Sequence, residues 1–342
     1  MTSAGLTLDR SAAAQPAPLL SVRSLKVEFQ VRGRPIRILD GVSFDLEAGE
    51  TLGIVGESGS GKSVTCLAIM GLLESPRARI LEGSIRLDGR ELVGASEAEL
   101  SRIRGRQIAM IFQEPMTSLN PAFAAGEQIA EVVRRHEGRS WAEARRAAVD
   151  MLDRVGIPDA NRSYDRFPHE MSGGMRQRVM IASALVCRPR LLIADEPTTA
   201  LDVTIQAQIL DLLRDASRDF GLGLIFITHN AGVVADICDR VVVLYAGQAV
   251  EAASVFDLFA TPRHPYTGGL LRSVPPLDRT LDILPSIPGS PPAAGEHPPW
   301  CRFEPRCPFA EEPCRAGPVE LVRGPDERSV RCVRAAELDG RL

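Results

Sequence analysis

The feature that most constrains the fold is a glycine-rich segment between an apolar run and a helical pattern. Residues 56–63 read GESGSGKS, after the run TLGIV and before SVTCLAIM. They satisfy the pattern GxxxxGK[ST], in which glycines let successive backbone N–H groups turn toward phosphate oxygens at the positive end of a helix. The sequence therefore predicts a strand, a phosphate-binding loop and a helix, which together form a unit of a mostly parallel α/β sheet.

We expect phosphate contacts from the whole loop and from the residue that follows it. The predicted contacts are Gly56, Glu57, Ser58, Gly59, Ser60, Gly61, Lys62, Ser63 and Val64. The ammonium of Lys62 suits the β- and γ-phosphates of a nucleotide, and the hydroxyl of Ser63 suits Mg²⁺. Lys26 and Lys62 are the only lysines among 40 basic residues. Coding bias explains the general excess of arginine, but an arginine fork would fit this cradle poorly.

A second apolar run, RLLIADEP, ends in two adjacent carboxylates, Asp195 and Glu196. Ligands of open α/β sheets bind at the carboxyl ends of the strands, so this pair is expected beside the phosphate loop. Asp195 is suited to hold Mg²⁺ through water, and Glu196 to polarise an attacking water as general base. The two segments together predict a hydrolase of nucleoside triphosphates.

Composition excludes several other classes of protein. The formal net charge is -4 and the pI is about 5.9, so no general attraction to nucleic acid is expected. Apolar runs such as GLGLIFIT and VVVLYAG are shorter than the ~18 residues of a membrane span. Residues 1–18 lack the apolar stretch of a secretory signal, so we expect a flexible leader on a cytosolic protein with reduced cysteines.

The segment MSGGMRQR, residues 171–178, discriminates among nucleotide hydrolases. Ser172, Gly173 and Gly174 begin a helical pattern and offer two unhindered N–H groups and a hydroxyl, which is a second anion site at a helix N-terminus. One protomer has little use for two such sites. We therefore expect this segment to face the γ-phosphate held by a second subunit.

With these motifs the chain resembles the ATP-binding subunits of ABC transporters over about residues 19–260. The resemblance is carried, in family order, by GESGSGKS, the glutamine of IFQEP, MSGGMRQR, LLIADEP, TALD at 199–202 and the histidine of FITHN. It implies a P-loop NTPase fold with a RecA-like core, an antiparallel β subdomain and an α-helical subdomain at about residues 116–180. It also implies ATP and Mg²⁺ as ligands, with ATP hydrolysis coupled to transport.

The resemblance further implies roles for single residues outside the loop. Gln113 would join Mg²⁺ to the membrane partner and take part in catalysis, Asp202 would bridge two subunits, and His229 would contact the γ-phosphate. Phe29, an aromatic residue on an early strand, is the candidate for stacking on adenine. Core packing is the alternative for Phe29.

Two other regions resemble one branch of that family, the importers of dipeptides and oligopeptides. They are FQEPMTSLNP with AAGEQIAE, and TPRHPYTGGLLRSVP with IPGSPP and CRFEPRCPFA. This resemblance implies a second ATP-binding subunit, distinct from this chain, two transmembrane permease subunits and an extracytoplasmic substrate-binding protein. It places the chain on the cytoplasmic face of the membrane. A homodimer is the alternative assembly; a nickel importer, or a soluble ABC ATPase of DNA repair or translation, is the alternative function.

Residues 261–342 differ in composition from the rest of the chain, with 15 of the 25 prolines and four of the seven cysteines. We expect a loop-rich region held by something other than a core. In a reducing compartment, clustered cysteines are better metal ligands than disulfide partners. The cluster is Cys301, Cys307, Cys314 and Cys332. Its wide spacings favour a [4Fe-4S] cluster, with Zn²⁺ and free thiols as alternatives. Cys66, Cys187 and Cys238 are predicted to be packing residues.

Overall fold

The computed structural model describes residues 17–74, 76–113, 118–199, 202–274, 285–338 and 340–342, so the predicted leader lies almost entirely outside it. The strands are β1 (Leu20–Val31), β2 (Arg34–Leu46), β3 (Thr51–Val55), β4 (Ala78–Leu87), β5 (Arg90–Glu91), β6 (Ile108–Ile111), β7 (Leu191–Asp195), β8 (Gly223–Ile227), β9 (Arg240–Tyr245), β10 (Gln248–Ser254), β11 (Val322–Arg323) and β12 (Ser329–Val330). Over these residues they form an antiparallel sheet of order β2-β1-β4-β5 and a second sheet of order β11-β12-β10-β9-β3-β8-β7-β6.

The centre of the second sheet is parallel, because β9, β3, β8, β7 and β6 all run in the same direction. Its strands are the short apolar runs of the sequence. In β7, Leu191 and Ile193 pack into one hydrophobic core, whereas Leu192 and Ala194 pack into another on the opposite face. Burial on both faces explains why these strands are continuously apolar instead of alternating. The predicted parallel sheet covered by helices is confirmed.

The helices divide between the two faces of this sheet. They are α1 (Lys62–Ile69), α2 (Glu97–Ile103), α3 (Ala125–Glu137), α4 (Trp141–Arg154), α5 (Ala160–Tyr164), α6 (Gly173–Leu185), α7 (Val203–Phe220), α8 (Ala231–Ile237), α9 (Val255–Ala260), α10 (Pro265–Arg272) and α11 (Ala335–Leu338). Helix α1 shares one core with the antiparallel sheet, and α3 to α8 bury their apolar faces in the other. None of the helices in the described ranges is both long and apolar enough to cross a membrane.

Local sequence signals set the ends of several helices. Helix α4 begins at a capping box, in which the Ser140 hydroxyl accepts a hydrogen bond from the Glu143 N–H and the Glu143 carboxylate accepts one from the Ser140 N–H. Helix α3 ends at Gly138, whose φ of 69° is left-handed. Helices α3 to α5 and the start of α6 occupy the interval expected for the helical subdomain, of which residues 116 and 117 lie outside the described part.

The antiparallel sheet was only partly anticipated from the sequence. Residues 38–56 predict strands and hairpins, but they supply two strands of different sheets: β2 pairs with β1, and β3 pairs with β8 and β9. The apolar β3 is stable only where both of its faces are covered, so it does not form a hairpin with β2. Strand β4 lies beside β1 and was missed, although Ile85 and Leu87 alternate with polar residues, as is typical of a strand.

The carboxyl-terminal region is packed onto the main body of the protein. Strand β12 pairs with β10, and Tyr266 and Phe303 belong to the larger hydrophobic core. Arg328 forms an ion pair with Glu251, and both side chains are almost fully buried. The expectation that something other than a core holds this region is therefore wrong for its aromatic residues.

His264 is buried in that interface as a neutral imidazole. Its Nδ1 accepts a hydrogen bond from the Tyr266 N–H at 3.1 Å, and its backbone N–H donates to the Glu251 carboxylate at 2.9 Å. Burial lowers the pKa of His264 from 6.5 to about 3, and the nearby charge of Arg331 acts in the same direction. Protonation is therefore much easier in the unfolded chain than in the folded one.

We predict that this histidine makes the fold acid-sensitive. Because the unfolded chain binds the proton first, stability falls as the pH drops below 6.5 and continues to fall toward 3. Between pH 7 and pH 5 the contribution is about 2 kcal/mol of unfolding free energy. Urea unfolding of the wild type and of His264→Gln at both pH values measures it. The variant should be less stable at pH 7 but should lose less stability on acidification; equal losses would contradict the prediction.

Candidate nucleotide-binding and hydrolysis site

The predicted site residues follow parallel strands of the central sheet, at its carboxyl edge. The glycine-rich loop follows β3, Gln113 follows β6, Glu196 follows β7 and His229 follows β8. Parallel strands end at the same edge, so the topology brings together residues that are far apart in the sequence. The structure thus assembles most of the predicted site in one place.

The phosphate loop (Gly56–Ser63) turns tightly against its neighbours at Gly56 and Gly61. Gly56 has a φ of 152°, and a Cβ there would lie 2.1 Å from the backbone oxygen of Leu244 and 2.8 Å from the Ser60 hydroxyl. Gly61 has a φ of 105°, and a Cβ there would lie 2.5 Å from the Leu39 side chain. The loop therefore fits between β9 and β2 only without these side chains, and it leads directly into helix α1.

Lys62 is folded back over this loop. Its Nζ donates hydrogen bonds to the backbone oxygens of Gly56 and Glu57, at 2.8 and 3.0 Å. Burial lowers the pKa of Lys62, and the negative charges of Glu196 and Asp195 oppose that shift. A bound phosphate would supply the anionic partner that the two carbonyls replace only in part.

Ser63 and Asp195 supply a hydroxyl and a carboxylate next to the lysine. The Ser63 hydroxyl lies near the Asp195 carboxylate. Burial raises the pKa of Asp195, and the nearby Ser63 hydroxyl works against the increase. A hydroxyl and a carboxylate are the ligands that Mg²⁺ takes at phosphate sites, and the cation would stabilise the ionised carboxylate.

Glu196 is the centre of a second group of contacts. Its carboxylate accepts hydrogen bonds from Gln113 Nε2 at 3.3 Å and from the Thr199 hydroxyl at 2.9 Å, and His229 Nδ1 lies 3.3 Å away. Its φ of 48° is left-handed, which is strained for a residue with a side chain. The structure therefore holds this carboxylate in one orientation, as a general base requires.

The segment Ser172–Gly174 forms the amino-terminal end of α6, as predicted. The Ser172 hydroxyl caps the helix by accepting a hydrogen bond from the Met175 N–H, Ser172 and Gly173 are exposed, and the first turn carries no acidic residue. No hydrogen bond or ion pair among the described residues joins this segment to the phosphate loop of the same chain. Its free donors instead face solvent.

Asp202 caps the neighbouring helix. Its carboxylate accepts a hydrogen bond from the Ile205 N–H at 2.9 Å at the start of α7. A Cβ on Gly174 would lie 3.2 Å from the Ile205 side chain, so the two helix starts are adjacent. Ala200 and Leu201, the middle of TALD, lie outside the described residues.

Phe29 lies on β1, opposite Ile36 of β2, and is half-buried against the smaller core. This position agrees with the packing alternative for one face of the ring. Strand β2 continues past the phosphate loop, since Leu39 would touch a Cβ on Gly61. The stacking role of Phe29 stays a prediction.

Sequence reasoning missed two residues of this site. Thr199 stands three positions after Glu196, where its hydroxyl reaches back to the carboxylate, and that local spacing could have indicated it. Arg306 forms a two-point ion pair with Glu57 of the phosphate loop, at 2.7 and 3.0 Å, across 249 positions. No local pattern could have shown this contact.

The four cysteines of the carboxyl-terminal region surround one cavity. Cys301, Cys307, Cys314 and Cys332 all line it. All seven cysteines are free thiols. However, in the part of the chain that the structure describes, no group of three or more His, Cys, Asp or Glu side chains is arranged to hold a metal ion. The predicted metal site is therefore not confirmed.

The other three cysteines are packing residues, as predicted. Cys66, Cys187 and Cys238 are at most 9% exposed and belong to the two cores. Burial raises the pKa of Cys187 to about 11 and that of Cys238 to about 12. These thiols stay protonated and unreactive at neutral pH.

Known proteins share both the site and the region that follows it. A family model described as ABC transporter matches residues 39–199, and one described as oligopeptide/dipeptide transporter, C-terminal region, matches residues 250–314. The oligopeptide transport ATP-binding protein AppD of Bacillus subtilis is 51% identical over 314 residues, which cover 92% of this chain and 96% of AppD. The chain belongs to the ABC transporter family. As an ABC protein with this site it is an ATPase, which confirms the predicted nucleotide hydrolase.

This ABC protein is also similar to a second peptide-import relative and to a solved cassette structure. A Brucella melitensis protein, named as a peptide import ATP-binding protein, is 51% identical over 332 residues, which cover 94% of this chain and 98% of the relative. The solved structure of the dimeric ATP-binding cassette MJ0796, in a post-hydrolysis state bound to ADP and Pi, has a TM-score of 0.62 and 28% identity. That similarity covers 69% of this chain and 98% of the MJ0796 chain.

We predict that Gly56→Ala abolishes ATP binding. The added Cβ meets the Leu244 backbone, which cannot move without disrupting β9, so the phosphate loop must shift. Gly49→Ala is the matched control, because it places a side chain at a φ of 77° with nothing within 4 Å. Isothermal titration with ATP should show full affinity for Gly49→Ala and none for Gly56→Ala. Retained binding by Gly56→Ala would contradict the prediction.

Proposed function

We propose that this chain is an ATP-hydrolysing subunit that powers an importer of dipeptides and oligopeptides. The observation that carries the proposal is the match of residues 250–314 to the carboxyl-terminal region of oligopeptide and dipeptide transporters. The names of AppD and of the Brucella relative support it, since both cover nearly the whole chain. The HPY sequence at His264, Pro265 and Tyr266 lies within the matched region.

In this proposal the phosphate loop holds the triphosphate of ATP. Backbone N–H groups of the loop and the amino-terminal end of α1 bind the phosphate oxygens, and Lys62 moves from the loop carbonyls to the β- and γ-phosphates. Ser63 and Asp195 hold Mg²⁺, Asp195 through water, with Gln113 as a further ligand. The support is that Ser63 lies near Asp195, and that Gln113 Nε2 reaches the carboxylate of Glu196, the residue after Asp195.

Glu196 is the proposed general base. It accepts the proton of the water that attacks the γ-phosphate, while His229 contacts that phosphate. The support is geometric: Gln113, Thr199 and His229 hold the carboxylate from three different loops. A base fixed in this way loses little freedom when it reaches the transition state.

A second ATP-binding subunit completes the proposed site for the γ-phosphate. The exposed donors of Ser172 and Gly173 do not engage the phosphate loop of their own chain, so they are free to bind a nucleotide held by a partner. Asp202, at the neighbouring helix start, would lie at the same boundary. We propose a related but distinct subunit as this partner. The solved MJ0796 cassette is itself dimeric.

Two permease subunits and an extracytoplasmic binding protein would complete the importer, with this chain at the cytoplasmic face of the membrane. The support is an open groove between the parallel sheet, α3 and α6, which is lined by Phe112, the residue before Gln113. Two large apolar side chains on its rim are exposed, Phe112 by 41% and Phe123 by 54%. A permease segment seated there would cover them and would lie next to Gln113, as the resemblance to the family implies.

The four cysteines are proposed to hold a [4Fe-4S] cluster. Four thiolates are the donor set for such a cluster, and all four side chains line one cavity. The wide spacing of the four cysteines in the sequence favours such a cluster over a single zinc ion, which usually takes its ligands from tight CxxC-like knuckles. When bound, the cluster would crosslink the loops that line this cavity.

Reconstitution of the complete importer tests the transport function. Glu196→Gln should leave ATP binding unchanged but lower ATP turnover and peptide uptake by about 10²- to 10⁴-fold, because the amide cannot accept the proton. Glu74→Gln, on an 80% exposed side chain, is the control. Uptake of labelled di- and oligopeptides is measured against uptake of nickel. If Glu196→Gln hydrolysed ATP as fast as the wild type, Glu196 would not be the general base. If the importer took up nickel but no peptides, nickel would replace peptides as the proposed cargo.

The cluster is tested on the full chain purified without oxygen. We expect a brown protein with visible absorption and about four irons per chain. Cys314→Ser should lose the colour and the iron, and Cys187→Ala, which alters a core cysteine outside the cavity, should keep both. A colourless, iron-free protein, or one that holds a single zinc, would reject the cluster.

A further inference from the structure

Glu57, in the phosphate loop, is held at its backbone and at its side chain by the carboxyl-terminal region. Its N–H donates a hydrogen bond to the Tyr266 hydroxyl at 2.8 Å. Its carboxylate accepts hydrogen bonds from both terminal nitrogens of Arg306, at 2.7 and 3.0 Å. Tyr266 is fully buried and Arg306 is 9% exposed. The contact is thus part of the protein interior and not a passing surface ion pair.

Arg306 is itself fixed from several sides. Its Nε donates to the Pro288 carbonyl at 2.8 Å, and one terminal nitrogen also lies 3.3 Å from the Tyr245 hydroxyl. The guanidinium lies 5.8 Å from the ring centroid of Tyr245 and 6.0 Å from that of Phe303. A guanidinium held in this way can orient a carboxylate through two parallel hydrogen bonds. The ammonium of a lysine could not form such a pair of bonds.

These contacts decide which backbone groups of the loop are available to a ligand. The Glu57 N–H is already used by Tyr266, and the Glu57 carbonyl accepts a hydrogen bond from Lys62. The remaining N–H groups of the loop can turn toward phosphate oxygens only if the peptide planes at Glu57 keep this orientation. A loop that is already arranged for its ligand loses less conformational freedom on binding.

We propose that Arg306 is a positioning residue for ATP binding, which acts through Glu57 to hold the phosphate loop in its binding conformation. It touches neither the nucleotide nor the attacking water. Its removal should therefore weaken ATP binding and leave the chemical step at Glu196 nearly unchanged. The carboxyl-terminal region then contributes to the nucleotide site of its own chain, in addition to packing on the sheet.

The first experiment measures the affinity of the full-length chain for a fluorescent ATP analogue, together with the melting temperature. Arg306→Gln should raise the Kd by about tenfold, which corresponds to ~1.4 kcal/mol. Arg328→Gln is the matched control: its side chain is as buried as that of Arg306, it also pairs with a glutamate, and it contacts β10 instead of the loop. It should lower the melting temperature but keep the Kd within about twofold of the wild-type value. An unchanged Kd in Arg306→Gln, or an equal rise in both variants, would overturn the proposal.

A double-mutant cycle and steady-state kinetics separate positioning from general stabilisation. Glu57→Gln and Arg306→Gln should not be additive, so the double variant should bind no more than about twofold more weakly than the weaker single variant. In the assembled importer, Arg306→Gln should raise the KM for ATP by about tenfold and leave kcat within about twofold. Additive effects on Kd, or a loss confined to kcat, would show that Arg306 does not act through Glu57.

Discussion

The structure depends on one close approach, that of Gly56 to the carbonyl of Leu244. The loop that leaves β3 passes so near the end of β9 that any side chain on Gly56 would overlap the backbone. This fixes where the loop turns and where α1 begins, and hence where Lys62 and Ser63 lie. Strand β3, the phosphate loop and α1 therefore form one structural unit, and the other strands of the sheet place the remaining site residues beside it.

Parallel strands explain how the hydrolytic residues meet. Gln113, Glu196 and His229 each stand one or two positions beyond a strand of the same sheet, and their side chains converge on the Glu196 carboxylate. The left-handed backbone at Glu196 carries a cost of order 1–3 kcal/mol that the surrounding packing must offset. The buried lysine and aspartate beside it have opposing pKa shifts, each caused by burial, which a bound magnesium triphosphate would relieve.

The carboxyl-terminal region is more than an appendage to this ATPase. Tyr245, Tyr266 and Phe303 form a ring cluster whose centroids lie 4.6 to 5.4 Å apart, and the cluster joins this region to the end of β9. The side chain of Arg306 extends past this cluster to the phosphate loop. Arg306 is also the residue immediately before Cys307. A short 3₁₀ turn, Glu304–Arg306, thus links the cysteine-lined cavity to the nucleotide site.

Much of this protein follows from its sequence alone. The apolar runs predicted β3, β6, β7 and β8, and the GxxxxGK[ST] motif predicted the phosphate-binding loop. Both predictions succeed because the backbone freedom of glycine, the start of a helix and the burial of a strand depend on the local sequence. Only the tertiary structure decided the contacts between distant segments: β2 and β3 separated into two sheets, and Arg306 reached Glu57 across 249 positions. An ion pair of this kind leaves no pattern in the sequence, since its geometry is set by packing of the intervening chain and not by the spacing of the two residues.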